Sequence, residues 1–248
     1  MTKSSKLKGR RFLITRTVEG NRIEREKLED LGANVVELPF IEIRPPSNPA
    51  KIQEAVKKIQ QFDWIVFTSA NGVKTFFSKF KEKESEEIKA RFACVGSETQ
   101  RELEAQGFKT SLVPSEFLTL KLGHELSRLG LNGKRVLLAR AEEANPEIAN
   151  VLRNAGAIVV EAPVYSTQAR KIENIDMKIL DQITDITLTS PSTVKALMSN
   201  FTAEEIKSRN IKIHSIGPVT AESAKKAGLD VTTIAKEHTI DGLVRTIS

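Results

Sequence analysis

Four short stretches place small hydroxyl residues where a strand is expected to end and a helix to begin. They are Thr68-Ser69-Ala70-Asn71-Gly72, Gly96-Ser97-Glu98-Thr99, Thr189-Ser190-Pro191-Ser192-Thr193 and Gly217-Pro218-Val219-Thr220. Such junctions offer free backbone N–H groups at the positive end of a helix, a setting that suits phosphate or carboxylate. Each also admits a plainer role, because Ser and Thr cap helices. Pro191 and Pro218 fit first helical positions, where the missing N–H costs nothing. Arg16 and Arg140 end two further expected strands; they either hold anionic groups or pair with acids such as Glu19, Glu142 and Glu143. The chain's one tyrosine, Tyr165, follows Pro163-Val164. Its hydroxyl is able to donate a proton or hold a leaving oxygen at a cleft edge, or its ring simply fills a strand edge.

Other chemistries lack their residues. One cysteine excludes a disulfide framework and any Cys-rich metal site, and the three histidines (His124, His214, His238) stand in no metal-ligand spacing. Neither GxxxxGK[ST] nor GxGxxG occurs, so ATP and NAD lack their usual fingerprints, and no Ser-His-Asp set emerges. Cys94, within Phe-Ala-Cys-Val-Gly, reads as a buried strand residue.

Behind these residues lies an alternation of short β-branched runs and amphipathic stretches. Strands are expected at 12–16, 34–39, 64–69, 91–95, 109–113, 135–140, 157–162, 186–190, 211–216 and 231–234, and helices at 23–31, 52–59, 73–80 and 220–227. Gly32, Gly107, Gly156 and Gly228 follow helical patterns, where a positive φ is wanted. The alternation predicts α/β architecture: parallel sheets flanked by helices. The mixed-charge run at 79–89 reads as a solvated helix and loop.

The chain also repeats itself. Residues 9–39 match 133–163 at an offset of 124, with Gly9/Gly133, Arg16/Arg140, Asn21/Asn145, Leu28/Leu152, Gly32/Gly156, Glu37/Glu161 and Pro39/Pro163 identical. A second block repeats at an offset of 121: 67–80 matches 188–201, and 95–108 matches 216–229. A tandem A1–B1–A2–B2 duplication of this kind builds two similar α/β domains. The halves either fold sequentially or exchange, A1 joining B2 and B1 joining A2. The extended A-to-B junctions at 41–49 and 164–171, and the short turn-like join at 129–135, favour exchange.

The 248 residues suffice for one large or two ordinary domains, and 40% hydrophobic with 28% charged residues is a globular profile. The formal charge is +6 and the pI about 9.3, a mild preference for acidic partners. The basic start lacks an apolar h-region and no run approaches a membrane helix in length, so a cytoplasmic location is expected.

Taken together, the residues resemble the uroporphyrinogen-III synthase family. The resemblance is carried by Phe67–Ser69, Val95-Gly96 with Thr99, Val164-Tyr165-Ser166-Thr167, Thr189–Ser192 and Ile216–Ala221, spread from Gly9 to Val244. It implies flavodoxin-like domains with exchanged halves: 1–42 with 169–248, and 47–163, joined by connectors at 43–46 and 164–168. It implies Tyr165 as the catalytic residue. It also implies Ser69, Thr99, Ser190 and Thr220 as substrate-binding residues in a cleft between the domains, and the strand-end and helix-start reading adds Arg16, Thr68, Arg140 and Pro191 to the expected set. The implied reaction cyclises hydroxymethylbilane, a linear tetrapyrrole, in a monomer that needs no cofactor or metal and binds neither nucleic acid nor membrane. Val219, where relatives can carry a second threonine, and Asn71-Gly72, where they can carry a basic residue, depart from the pattern. Two other readings remain: a non-catalytic module of the same fold that binds a tetrapyrrole or polyanion, and a nucleic-acid binder suggested by pI alone.

Overall fold

The computed structural model describes residues 6–80, 88–116, 118–173 and 175–248. The chain divides into two units, Met1–Ile43 with Gln168–Ser248, and Arg44–Thr167. Much of the charge run at 79–89 lies outside the described residues.

Unit 1 is built on strands β1 (Arg11–Ile14), β2 (Asn34–Glu37), β9 (Asp185–Leu188), β10 (Lys212–Ser215) and β11 (Val231–Ile234). All pair in parallel, in the order β11-β10-β9-β1-β2. Helices α1 (Val18–Asp30), α7 (Pro191–Met198), α8 (Ala203–Lys207), α9 (Pro218–Lys226) and α10 (Ile240–Ile247) accompany them. Leu13, Ile186, Leu188 and Ile213 pack with Val194, Leu197 and Ala224 of α7 and α9. Phe12 and Ile14, pointing the other way along β1, pack with Leu28 of α1 and with Ile240 and Val244 of α10. Alternation along β1 therefore feeds two cores, one on each side of the sheet.

The second sheet contains β3 (Ile41–Arg44), of which only Arg44 falls in unit 2, the unit 2 strands β4 (Trp64–Phe67), β5 (Arg91–Cys94), β6 (Thr110–Leu112) and β7 (Arg135–Ala141), and β8 (Ile158–Ala169), which lies in unit 2 up to Thr167. Their order is β3-β8-β7-β4-β5-β6, parallel from β8 to β6. Every residue of β4 is buried, as a central parallel strand requires. The helices are α2 (Ala50–Lys57), α3 (Ala70–Phe77), α4 (Ser97–Ala105), α5 (Thr119–Ser127) and α6 (Glu147–Asn154). Trp64, Val66, Val136 and Leu138 pack with Leu122, Leu126, Ile148 and Leu152. Phe67, Phe76, Phe77, Phe92 and Phe108 form an aromatic cluster with ring centroids 5.0–6.4 Å apart.

Five parallel strands in each sheet share one spatial order, with two strands of an A block beside the three of a B block from the other half of the chain, and β3 adds a sixth at the edge of the second sheet. The halves are exchanged: unit 1 follows a flavodoxin-like order, and unit 2 keeps that spatial order with its B strands coming first in the chain. Gly32 and Gly156, equivalent in the repeat, end α1 and α6 at φ 88° and 84°. The strand predicted at 157–162 continues to Ala169: β7 pairs with it past Pro163, through a register shift at Arg140/Ala141, as far as Tyr165, and β3 flanks its other edge.

Candidate functional site

In open parallel sheets, ligands gather beyond the carboxyl ends of the strands, beside the point where strand order reverses. That point lies between β7 and β4 in unit 2 and between β1 and β9 in unit 1. Thr68 and Ser69 follow β4, and Ser190 follows β9.

In unit 2 the Tyr165 hydroxyl stands 2.9 Å from the Ser69 hydroxyl. Tyr165 belongs to β8 and Ser69 follows β4, so the side chain reaches over the end of β7, the strand between them. The backbone beneath is fixed by the Glu142 N–H donating to the Tyr165 carbonyl at 2.9 Å. Ser69 caps α3 by accepting the Gly72 N–H at 3.1 Å. Gly72 lets α3 dock closely, since a Cβ there would lie 3.3 Å from the Ala139 carbonyl oxygen. Tyr165 is only 6% exposed. Burial pushes its pKa above the ordinary value, the Ser69 hydrogen bond pulls it back, and the charge of Glu143 adds to the rise. The phenol is therefore neutral at physiological pH. Either hydroxyl of the Ser69–Tyr165 pair is able to donate to the other; when Ser69 donates, the Tyr165 proton is available to another acceptor.

The junctions divide into two kinds. Ser69 and Ser190, equivalent in the repeat, spend their hydroxyls on capping. Ser190 accepts from the Thr193 N–H at 3.2 Å, and Thr193 completes the box by accepting from the Ser190 N–H at 3.1 Å. Both serines therefore cap their helices. Gly96 and Gly217, also equivalent, stand at the caps of α4 and α9 and supply no side-chain cap. The first turns that follow contain Thr99 and Thr220, 3% and 4% exposed, whose hydroxyls have no hydrogen-bond partner among the described residues. These are the groups best placed to receive a ligand oxygen.

Arg140 has another occupation. It is buried, ion-paired to Glu161 and donating to the Asn145 carbonyl, while Arg153 meets the other Glu161 oxygen at 2.6 Å. Its acid is thus Glu161. Glu142 instead accepts from Ser47, and Glu143 from the Thr167 N–H and hydroxyl. Arg16 follows β1 half-buried, its N–H donating to Asn21 Oδ1 at 3.0 Å. Pro191 is the exposed first residue of α7, Pro218 the first of α9, and Thr68 lies half-buried beside Ser69. Cys94 is fully buried, and its thiol is pushed up to about 11 chiefly by that burial. Sequence reasoning missed His238, whose ring lies over Gly217; the two are 21 positions apart and no local motif joins them.

Two parallel-dominated sheets flanked by helices, with hydroxyl-bearing turns at the carboxyl ends of their strands, define the class of α/β protein to which the chain belongs. Residues 24–245 match the family model described as uroporphyrinogen-III synthase HemD, and the chain belongs to that family, hydro-lyases of tetrapyrrole biosynthesis. It is 32% identical over 250 residues to a uroporphyrinogen-III synthase of Synechococcus elongatus, covering 96% of this chain and 94% of that one. Among solved structures it resembles the uroporphyrinogen-III synthetase of Helicobacter pylori, with a TM-score of 0.64 at 19% identity over 95% of this chain and 97% of that one. A mutant uroporphyrinogen III synthase of Thermus thermophilus matches with a TM-score of 0.63 at 15% identity, over 95% and 96% of the two chains. No helix among the described residues is long and apolar enough to cross a membrane.

Proposed function

We propose that this chain converts hydroxymethylbilane to uroporphyrinogen III, with Tyr165 as the acid that assists departure of the terminal hydroxyl. The observation that carries the reading is the buried, neutral phenol at the rim of unit 2, within hydrogen-bond distance of the Ser69 hydroxyl. The substrate bears eight carboxylates and becomes an azafulvene cation once water leaves. Attack at the substituted carbon of ring D gives a spiro intermediate, and reclosure inverts that ring. One proton is given to the leaving hydroxyl and one is lost when the last pyrrole regains aromaticity, so only water departs. Nothing is oxidised or reduced, so the balance calls for no redox cofactor.

Unassisted closure gives the uninverted type I isomer, so the protein's task is chiefly conformational. Thr99, Thr220 and the free N–H groups of α4 and α9 supply neutral donors for carboxylates. Thr68, Ser69, Ser190, Pro191 and Arg16 border the same rims. Arg140 is left out of this set, because Glu161 and Asn145 occupy it. The reading extends to a monomeric cytoplasmic enzyme, in keeping with the single buried thiol.

Purified protein given freshly made hydroxymethylbilane, with type I and type III products separated, provides the test. Mostly type III product, formed faster than unassisted closure, is expected. Type I alone at the unassisted rate overturns the reading and leaves a binding module of the same fold.

A further inference from the structure

Within unit 1, the open start of α9 has a neighbour from elsewhere in the chain. A Cβ built on Gly217 would lie 3.0 Å from His238 Cδ2, 3.2 Å from Cγ and 3.5 Å from Nε2, so the imidazole rests on the glycine that precedes the helix. Gly217 is extended at φ −176°, a conformation open to any residue. What the site demands is the absence of a side chain, not special backbone freedom.

The segment bearing His238 is held from several directions. The Ala235 N–H donates to the Ser215 carbonyl at 2.9 Å, tying it to the end of β10. Glu237 pairs with Arg245 through both oxygens, at 3.1 and 2.8 Å. Thr239 caps α10 by accepting the Gly242 N–H at 2.9 Å. Glu237 and Asp241, the acids flanking His238, are committed to Arg245 and Lys27. The imidazole itself makes no hydrogen bond or ion pair among the described residues, and neither does Lys236 beside it. Thr220, one turn into α9, is deeply buried and keeps its hydroxyl unpartnered among the described residues. An imidazole without an acid, a lysine without an acid, an unused hydroxyl and an open helix start thus collect at one strand end.

We infer that His238 is a substrate-positioning residue: it binds a carboxylate of the linear tetrapyrrole at the rim of unit 1, and Gly217 is bare so that the ring can lie there. The inference rests on the proposed activity and adds a residue to it. A protonated or neutral imidazole N–H donates to a carboxylate oxygen, and the charged form binds more strongly. Because the contact is made to a side chain of the substrate and not to the reacting carbons, it strengthens binding more than it accelerates chemistry.

Steady-state kinetics of the full chain on hydroxymethylbilane test this with His238→Ala, Gly217→Ala and the double variant. His238→Ala is expected to raise KM about tenfold, as for loss of one charge-assisted hydrogen bond, with kcat changed by less than about threefold. Gly217→Ala displaces the ring and is expected to raise KM in the wild-type background but hardly at all when His238 is already alanine. His124→Ala, exposed on α5, controls for loss of an imidazole and is expected to leave both constants unchanged. His238→Gln, which keeps a neutral donor, should fall between wild type and alanine. An active wild type with an unchanged KM in His238→Ala overturns the inference alone. So does a Gly217→Ala effect of equal size with and without His238. A wild type that yields no type III product overturns both this inference and the activity it rests on.

Discussion

At the scale of single residues, the site turns on which hydroxyls are already used. Ser69 and Ser190 are caps, Thr193 closes a box, and Thr99 and Thr220 are left over. Tyr165 stands apart because its hydroxyl is buried, neutral and oriented by the Ser69 hydroxyl. Tyr165→Phe is expected to lower kcat by about 10²–10⁴-fold, the usual cost of losing one acid, with an unchanged unfolding midpoint; wild-type turnover would remove Tyr165 from that role. The raised pKa gives this prediction a sign in pH. The acid form persists through neutrality, so no loss of activity attributable to Tyr165 is expected below about pH 10. The sequence carries Tyr165 plainly, as the chain's only tyrosine. The partner of Arg140 was less legible: Glu161 lies 21 positions away on β8, while Glu142 and Glu143 stand beside it in sequence. Glu142 and Glu143 lie past the end of β7 and bond Ser47 and Thr167, whereas Glu161 stands on the neighbouring strand, so nearness along the chain was a poor guide to pairing.

At the scale of elements, strand and helix alternation was readable because a strand buried on both faces needs an unbroken apolar run, as Trp64-Ile-Val-Phe67 shows. Helix starts were placed less well. The pattern put α3 at 73 and α1 at 23, whereas the helices begin at Ala70 and Val18. Their first turns carry few apolar residues and are fixed instead by the caps Ser69 and Thr17, which periodicity does not see. The strand predicted to stop at 162 runs to 169 because β8 lies between two strands, with β7 pairing to Tyr165 and β3 on its other edge. Capping also yields a measurable contrast between repeat-equivalent helices. Ser190→Ala removes the reciprocal box at α7 and is expected to cost about 1 kcal/mol, read as a lower urea midpoint with unchanged slope. An unchanged midpoint would show that the cap is not needed to hold α7.

At the scale of the whole molecule, a buried charge cluster lies at the far end of the unit 1 sheet from its rim. Asp185, 1% exposed, receives Arg10 at 2.5 Å, His214 Nε2 at 2.8 Å and the Thr184 hydroxyl at 2.6 Å. Burial pushes its carboxyl up, but the hydrogen bonds from His214, Arg10 and Thr184, with the charge of Arg10, outweigh it and leave the pKa far below the ordinary value. A depressed carboxyl contributes stability that is complete above the unfolded value near 4 and fades as pH falls below it. Asp185→Asn, which leaves Arg10 without its buried anion, is expected to cost about 3–5 kcal/mol at pH 7. The gap from wild type should narrow at pH 3 in urea unfolding; a gap of equal size at both pH values would contradict this account. Such a cluster at the base of the sheet leaves the rim free to carry weakly bonded groups.

The division of the chain into an uninterrupted middle and a pair of joined ends also bears on how the polypeptide comes off the ribosome. Residues 44–167 are complete in themselves by the time they emerge, but β1 and β2, made first, must wait for β9, whose place beside β1 is filled only after residue 185. During that interval Phe12 and Ile14 lack part of the core they are destined for, so the nascent β1–β2 segment carries exposed apolar surface until the second part of unit 1 is made. The same exchange that brings the two halves of each sheet together makes this chain's earliest residues among its last to find their neighbours.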